Sequence, residues 1–344
     1  MSEVVFVYGD PNGPHPSHKE FINVINADTL HVYFGKWGGR VKRGLLALKC
    51  YIKYPEYKYY ILESSLTVLP FAIKKFIENE KKLIGFFCDD SICNFNNRRP
   101  HYSWIDIIAH KWAFRYLDAV IAVSPMIKDA VARLLKIPVE VARPYITDEN
   151  YINLARVNPN LESKNVILVG TARKNHGADI LIKAFKIISE KYSNFDLKLI
   201  IGGKGWPEKW QSEKVSIPGY IKDLSEFFKD ASLFVYPAWG AAYPVATLES
   251  MRAGVPVIVS TYTGTKEIAE IVRNKFKSEF GKDAKLIVKP EPLDVCRSIL
   301  WYYNLEIDEK LFLSETYRKL TDRFHSKKCA EDFKIAFEKI ISSI

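Results

Sequence analysis

The chain has 344 residues, of which 48% are apolar and 26% are charged. This composition is typical of globular proteins and excludes intrinsic disorder, while the length predicts two domains at about 150 residues each. Fifty basic side chains against forty acidic ones give a net charge of +10, which favours anionic ligands such as phosphates, nucleic acids or acidic membranes. The cysteines are scattered, without the paired spacing of a zinc site or the density of a secreted disulfide scaffold.

The first half of the chain alternates apolar, β-branched runs with segments of helical periodicity. The predicted strands cover residues 4–8, 59–62, 84–88 and 119–123, and the predicted helices cover residues 18–25, 66–80 and 104–116. A turn rich in glycine and proline, residues 9–14, follows the first strand. This alternation predicts a parallel sheet with helices on both faces.

The second half repeats the alternation after a segment of little periodicity, residues 143–163. Its predicted strands cover residues 166–169, 197–201, 233–236 and 257–260, and its predicted helices cover residues 179–192, 224–229, 245–253 and 329–344. We therefore predict an N-terminal domain over residues 1–150, a C-terminal domain over 151–325 and a final helical segment over 326–344.

The most informative segment covers residues 237–258. A strand ends there, a loop with Gly240 and Pro244 follows, and a short helix carries Glu249. Helix N-termini at the carboxyl ends of parallel strands attract anions through unpaired N–H groups. A carboxylate one turn further can accept hydrogen bonds from sugar hydroxyls. The residues alone leave it equally open that Glu249 is a solvated helix residue.

This segment resembles the signature of the retaining glycosyltransferases of family four. The residues that match at the family's spacing are Pro237, Leu248, Glu249, Met251, Gly254, Val255, Pro256 and Val257. Segments 118–124, 217–221, 230–235 and 264–268 resemble the family as well. The similarity covers most of the chain and is strongest from Val166 to Ile271.

The resemblance implies an α/β protein of the GT-B fold, in which two Rossmann-like doubly wound domains face a cleft and the C-terminal helix crosses back to the first domain. The implied enzyme is a retaining, hexosyltransferase-like glycosyltransferase. It moves a sugar from a nucleotide diphosphate sugar, bound by the C-terminal domain, to an acceptor hydroxyl on the side of the N-terminal domain. It needs no metal or other cofactor. In a front-face mechanism the leaving diphosphate helps to deprotonate the acceptor.

The chain departs from the family pattern at the first acid of the signature. Ala241 stands where the family has a glutamate that contacts the donor sugar, and Tyr243 and Pro244 replace a Phe-Gly pair. Glu249 matches the second glutamate, which in the family holds the ribose. Two alternatives stay open: a degenerate GT-B protein that binds a nucleotide sugar without efficient turnover, and a two-domain ligand-binding receptor. The missing signal peptide disfavours the receptor.

The loop of residues 170–177 matches the family's diphosphate loop in length. Thr171 and His176 occupy the family's arginine and lysine positions, while Arg173 and Lys174 lie inside the loop. Two cations in a loop that opens a helix can neutralise a diphosphate through charge-assisted hydrogen bonds. The alternative is a solvated surface turn.

The predicted site residues lie in the matched loops of both halves. The donor-binding residues are Gly13, Gly170, Thr171, Arg173, Lys174, Gly203, Tyr220, Tyr243, Val245 and Glu249. The catalytic residues are Asp89, Arg173 and Lys174. Asp89 follows Cys88 at the place where the family often has His-Asp near the reacting sugar, with Asp90 beside it. A turn or helix-cap role is the alternative for both acids. His15 or His18 is predicted at the acceptor, and no metal ligand is predicted.

Residues 36–60 interleave basic and aromatic side chains around a single acid, Glu56. Such a face suits a peripheral contact with an anionic membrane that presents a lipid-linked acceptor. The alternative is a core element with a solvated rim of lysines. Glycan, lipid and protein acceptors all stay open, and no nucleic acid partner is expected because no base-reading motif is present. We expect a cytoplasmic protein, and Gln211 as the only glutamine is compatible with a thermophilic source.

Overall fold

The computed structural model describes residues 3–10, 12–32, 42, 44–45, 57–78, 81–96 and 103–344. The chain divides into two compact units, the first made of Met1–Tyr145 with Ser326–Ile344 and the second of Ile146–His325. Most of the segment 36–60, for which the sequence predicts a membrane contact, lies outside the described residues.

Each unit is built on one parallel sheet, and each sheet has six strands among the described residues. The strands of the first unit are β1 (Val4–Tyr8), β2 (Asp28–His31), β3 (Tyr59–Glu63), β4 (Lys82–Phe87), β5 (Ala119–Ala122) and β6 (Val139–Val141), in the order β2-β1-β3-β4-β5-β6. Those of the second unit are β7 (Asn165–Val169), β8 (Lys198–Gly202), β9 (Val215–Gly219), β10 (Leu233–Tyr236), β11 (Val257–Ser260) and β12 (Ile287–Val288), in the order β12-β11-β10-β7-β8-β9. The α/β fold class predicted from the sequence is confirmed.

Helices connect the strands in both units. They are α1 (Lys19–Val24), α2 (Ser64–Glu78), α3 (Ser91–Asn96), α4 (Trp104–Phe114), α5 (Pro125–Ala132), α6 (Asp148–Leu154), α7 (Ala178–Lys191), α8 (Leu224–Lys229), α9 (Val245–Arg252), α10 (Lys266–Phe280), α11 (Pro292–Tyr303), α12 (Ile307–Leu320) and α13 (Ser326–Ile341). No described helix combines the length and the apolar character needed to cross a lipid bilayer.

The central strands are continuous apolar runs because a parallel sheet covered by helices buries both of its faces. All four residues of β5, β10 and β11 are buried. Helix α5 begins at a serine cap followed by a proline. The Ser124 hydroxyl accepts the Ile127 N–H at 3.2 Å and Pro125 opens α5, which satisfies one of the N–H groups that a helix start leaves unpaired.

The C-terminal helix α13 completes the core of the first unit. The Phe333 ring stacks on Phe21 of α1 at 4.5 Å between ring centres and meets Phe86 of β4 edge-on at 5.6 Å. All three side chains are fully buried. The last residues of the chain are therefore part of the same hydrophobic core as the first strand and helix.

We expect Phe333→Ala to lower the free energy of unfolding of the first unit by about 3–5 kcal/mol, because it removes a fully buried aromatic ring and leaves a cavity. Hydrogen exchange of peptides from α1 and β4 at increasing urea concentration measures this loss. Ile335→Ala on the exposed side of α13 is the matched control, with an expected change within about 0.5 kcal/mol. Equal losses for the two variants would contradict the packing of α13.

Candidate functional site

The second unit carries most of the predicted site residues, at the carboxyl ends of its strands. The chain runs from β7 outward to β8 and β9, and then returns to place β10 on the other side of β7. The loops after β7 and β10 therefore leave the sheet in opposite directions. Such a switch point is where open parallel sheets bind ligands.

The loop after β7 is held against the loop after β8 by backbone hydrogen bonds. The Gly170 N–H donates to the Gly202 carbonyl at 3.0 Å, and the Ala172 N–H donates to the Lys204 carbonyl at 2.9 Å. Gly203 has φ +126°, and a Cβ atom there would lie 1.8 Å from the Gly170 carbonyl oxygen. The two loops can approach this closely only because residue 203 is a glycine.

The same loop is fixed on its other side to the loop after β10. The Trp239 N–H donates to the Asn175 carbonyl at 2.8 Å, and the Asn175 amide donates to the Gly240 carbonyl at 2.9 Å. A Cβ atom on Gly177, which has φ +77°, would lie 2.1 Å from the Pro237 carbonyl oxygen. Three loops thus form one backbone framework around the switch point.

Arg173 and Lys174 project from this framework at the start of α7. Both side chains are exposed, and within the described residues neither has a hydrogen-bond or salt-bridge partner. Thr171 beside them is exposed as well. The loop therefore presents two uncompensated positive charges next to the N-terminus of a 14-residue helix, where the helix dipole also favours an anion.

His176 completes the loop but carries no charge at neutral pH. Burial lowers its pKa to about 4, and the positive charge of Arg173 contributes to the shift. The ring lies 5.5 Å from that of Tyr236, and its Nδ1 atom is buried without a hydrogen-bond partner. This position of the loop is thus occupied by a neutral imidazole.

Glu249 lies in α9 and is held by a residue that sequence analysis missed. The Asn150 Nδ2 atom in α6 donates to Glu249 Oε1 at 2.7 Å. Burial raises the pKa of the Glu249 carboxyl, and this hydrogen bond opposes the rise. Asn150 falls in the segment interpreted as a domain boundary. Its signal was the run Thr147, Asp148, Glu149, which is typical of a helix start.

Tyr243 and Ala241, in the loop that precedes α9, make hydrogen bonds within the second unit. The Tyr243 hydroxyl donates to Glu267 Oε1 at 2.8 Å, and its side chain is buried. The Ala241 N–H donates to the Tyr262 carbonyl at 3.1 Å, and the Ala241 carbonyl accepts the Gly264 N–H at 2.9 Å. Ala241 therefore ties the loop after β10 to the loop after β11.

Val245 and Tyr220, two further residues that are predicted to contact the donor, are more exposed than Tyr243. Val245 is the first residue of α9, so its N–H is one of those that the helix itself leaves unpaired. Tyr220 follows β9 and is 67% exposed. The Lys204 ammonium lies 4.7 Å from the centre of its ring.

The predicted residues of the first unit have mainly internal contacts. Asp89 Oδ2 accepts the backbone N–H and the hydroxyl of Ser65, and Asp89 Oδ1 accepts the Ser91 N–H at 3.1 Å. Asp89 thus links the starts of α2 and α3. Gly13 adopts φ +105° in a turn closed by its N–H on the Asp10 carbonyl. The catalytic role of Asp89 and the donor contact of Gly13 stay predictions.

The two histidines predicted at the acceptor differ in exposure, since His15 is exposed and His18 is buried, and the acceptor contact of both stays a prediction. His15 Nδ1 accepts the Ser17 N–H at 3.2 Å. His18 is buried, and its Nδ1 donates to Glu63 Oε1 at 2.6 Å.

Comparison with known proteins places a family domain in the second unit. Residues 163–303 match the family described as Glycosyl transferases group 1. Mannosylfructose-phosphate synthase of Agrobacterium fabrum is 24% identical over 178 residues, which is 44% of this chain and 39% of that protein. The chain spans between 39% and 64% of the length of the curated relatives it matches.

Solved structures match over nearly the whole chain and show the fold. Sucrose-phosphate synthase from Thermosynechococcus elongatus has a TM-score of 0.72 at 16% identity, covering 99% of this chain and 89% of that one. Anabaena HepE, solved in complex with UDP and glucose, has a TM-score of 0.67 at 13% identity and covers 99% of both chains. The chain therefore has the GT-B fold, and residues 163–303 are similar to the glycosyl transferases group 1 family, as the resemblance implies.

We expect Arg173→Ala to raise the pKa of His176, because it removes a positive charge that disfavours the imidazolium. Since burial is the larger cause, the pKa should stay below the ordinary value of about 6.5. An NMR titration of the histidine ring protons measures the shift. Lys174→Ala is the matched control and should leave the pKa near that of the unmodified protein. A lower pKa in Arg173→Ala would contradict this account.

Proposed function

We propose that the protein transfers a sugar from a nucleotide diphosphate sugar to an acceptor hydroxyl with retention of the anomeric configuration. The observation that carries this proposal is the uncompensated pair Arg173 and Lys174, fixed at a switch point by three interlocked loops. The group 1 domain around that loop and the GT-B fold support it.

The diphosphate of the donor would lie against Arg173 and Lys174. Guanidinium and ammonium groups form strong hydrogen bonds with phosphate oxygens, and the N-terminus of α7 adds a favourable dipole. When the bond to the sugar breaks, negative charge develops on the diphosphate. Cations already held in place stabilise that charge without reorganisation. We propose that they replace a divalent metal at this position.

The ribose of the donor would bind to Glu249. A carboxylate can accept hydrogen bonds on both oxygens, and Asn150 occupies only Oε1 in the structure. Oε2 is thus left for a ribose hydroxyl. The exposed ring of Tyr220 offers a flat surface on which a nucleobase can stack. The relative HepE, whose structure contains UDP and glucose, supports this class of ligand.

The alternative is a protein that binds a nucleotide sugar without efficient turnover. It is favoured by Ala241, which supplies no carboxylate to the donor sugar and whose backbone holds two loops together. A panel of UDP-, GDP- and ADP-sugars, incubated with the protein and simple sugar or lipid acceptors, separates the two functions. Release of the nucleoside diphosphate with formation of an α-linked product from an α-linked donor supports transfer with retention. Binding without release supports the alternative.

We expect the double variant Arg173→Ala, Lys174→Ala to bind nucleoside diphosphates about tenfold or more weakly, because it loses two charge-assisted contacts. The affinity for the corresponding nucleosides should not change, since they carry no phosphate. Calorimetric titration with UDP, GDP and ADP measures both. Lys183→Ala, Lys186→Ala on the exposed side of α7 removes the same charge and should have little effect.

The same titrations in excess chelator test the role of the cations further. Unchanged diphosphate affinity is expected if Arg173 and Lys174 neutralise the phosphates. A collapse of affinity with chelator that added magnesium reverses, and that zinc does not, would show that a metal performs that role instead.

We expect Glu249→Gln to weaken the binding of nucleosides and nucleotides equally, by about 1.5–3 kcal/mol, the range for a hydrogen bond to a charged group. Asn150→Ala should cause a smaller loss in the same direction, because it removes the side chain that orients the carboxylate. Glu279→Gln on the exposed side of α10 is the control. Unchanged affinity in a folded Glu249→Gln variant would remove the ribose role.

A further inference from the structure

Three side chains of different chemistry meet in the first unit. His18 follows β1 in the short helix Pro16–His18, Glu63 is the last residue of β3, and Cys88 comes directly after β4. Strands β1, β3 and β4 are neighbours in the sheet. Because parallel strands end at the same edge, the topology brings the three residues together although they are far apart in sequence.

Their ligand atoms are close enough to share one ion. The imidazole nitrogen, the carboxylate oxygen and the thiol sulfur all lie within 4.8 Å of one another. His18 and Glu63 are only 5% and 8% exposed. A buried carboxylate is costly unless it is paired or binds a cation, and in the described part of the chain only the His18 ring binds the Glu63 carboxylate.

The backbone directly after Glu63 adopts an unusual conformation. Ser64 has φ +68°, a left-handed conformation that is unusual for a residue other than glycine. Such strain persists at places where the surrounding structure imposes it, and functional sites are the commonest of them.

We propose that His18, Glu63 and Cys88 form a binding site for a zinc ion. One nitrogen, one oxygen and one sulfur ligand suit zinc, whereas magnesium and calcium require oxygen ligands almost exclusively. Three protein ligands leave the fourth tetrahedral position for a water molecule. The site lies in the first unit and involves none of the residues to which we assign the donor.

Zinc binding requires shifts of about one ångström, because the ligand atoms, all within 4.8 Å of one another, would have to move to tetrahedral spacing. Around a tetrahedral zinc ion with bonds of about 2.0–2.3 Å, neighbouring ligand atoms are about 3.3–3.6 Å apart. The separation of 2.6 Å between His18 Nδ1 and Glu63 Oε1 is that of a hydrogen bond, so the ion would replace the shared proton and move the two atoms apart by less than an ångström. Zinc would then join the chain segments that follow β1, β3 and β4.

The test is calorimetric titration of the chelator-treated, full-length chain with zinc chloride, and with cobalt chloride as a spectroscopic substitute. We expect one equivalent of zinc to bind and to raise the melting temperature. Bound cobalt should give a sulfur-to-cobalt charge-transfer band. Cys88→Ser should abolish that band and weaken zinc binding by about tenfold or more.

Cys93→Ser is the matched control, because Cys93 is a partly exposed thiol of the next helix that is not part of the cluster. It should retain both the band and the affinity. Glu63→Gln, which keeps the size of the side chain, should weaken zinc binding without removing the cobalt band. Absence of binding, or equal binding by the Cys88→Ser variant, would overturn the proposal and leave His18 and Glu63 as a structural pair.

Discussion

The arrangement of the candidate site depends on two places where the backbone passes closer to itself than any side chain allows. At Gly203 and at Gly177, a Cβ atom would overlap a carbonyl oxygen of the neighbouring loop. Since these contacts fix the loop after β7 on both sides, they also fix the direction in which Arg173 and Lys174 leave it. A flexible loop could carry the same charges, but it would lose conformational entropy each time it bound a phosphate.

The first unit shows how a buried parallel sheet concentrates chemistry at one edge. Its strands are apolar on both faces, so polar side chains appear where the strands end. Asp89 uses both carboxylate oxygens to join the beginnings of two helices, and the group of His18, Glu63 and Cys88 lies at the same ends of the strands. Asp89 therefore has a structural role at this edge of the sheet. His18, Glu63 and Cys88 form a polar group there that the packing of strands and helices does not itself require.

Sequence analysis predicted the alternation of strands and helices, because apolar runs bounded by turn residues are a local signal. It also selected the loop of residues 170–177 and Glu249 as candidate donor contacts, which stay predictions. It missed the edge strands β2, β6, β9 and β12 and the helices α10, α11 and α12. It also missed α6, whose seven residues are too few to show periodicity. With α6 it missed Asn150, the partner of Glu249.

Other features depend on contacts between distant parts of the chain, which no local pattern contains. The neutral state of His176 results from burial beside Tyr236 and from the charge of Arg173. Likewise, His18, Glu63 and Cys88 have no spacing typical of a metal site, and only the order of the strands makes them neighbours. The charge balance of the whole chain indicated anionic ligands but could not identify which of its fifty basic residues lack a partner.

The neutrality of His176 has a consequence for the release of product in the proposed reaction. A nucleotide sugar gains one negative charge when the sugar departs and the acceptor proton is lost, because a bridging oxygen becomes a free phosphate oxygen. A loop with three permanent cations would hold this product more tightly than the donor and would slow each catalytic cycle. With His176 uncharged, the loop carries only the positive charges of Arg173 and Lys174. Burial of one imidazole thereby limits how strongly the spent nucleotide is retained.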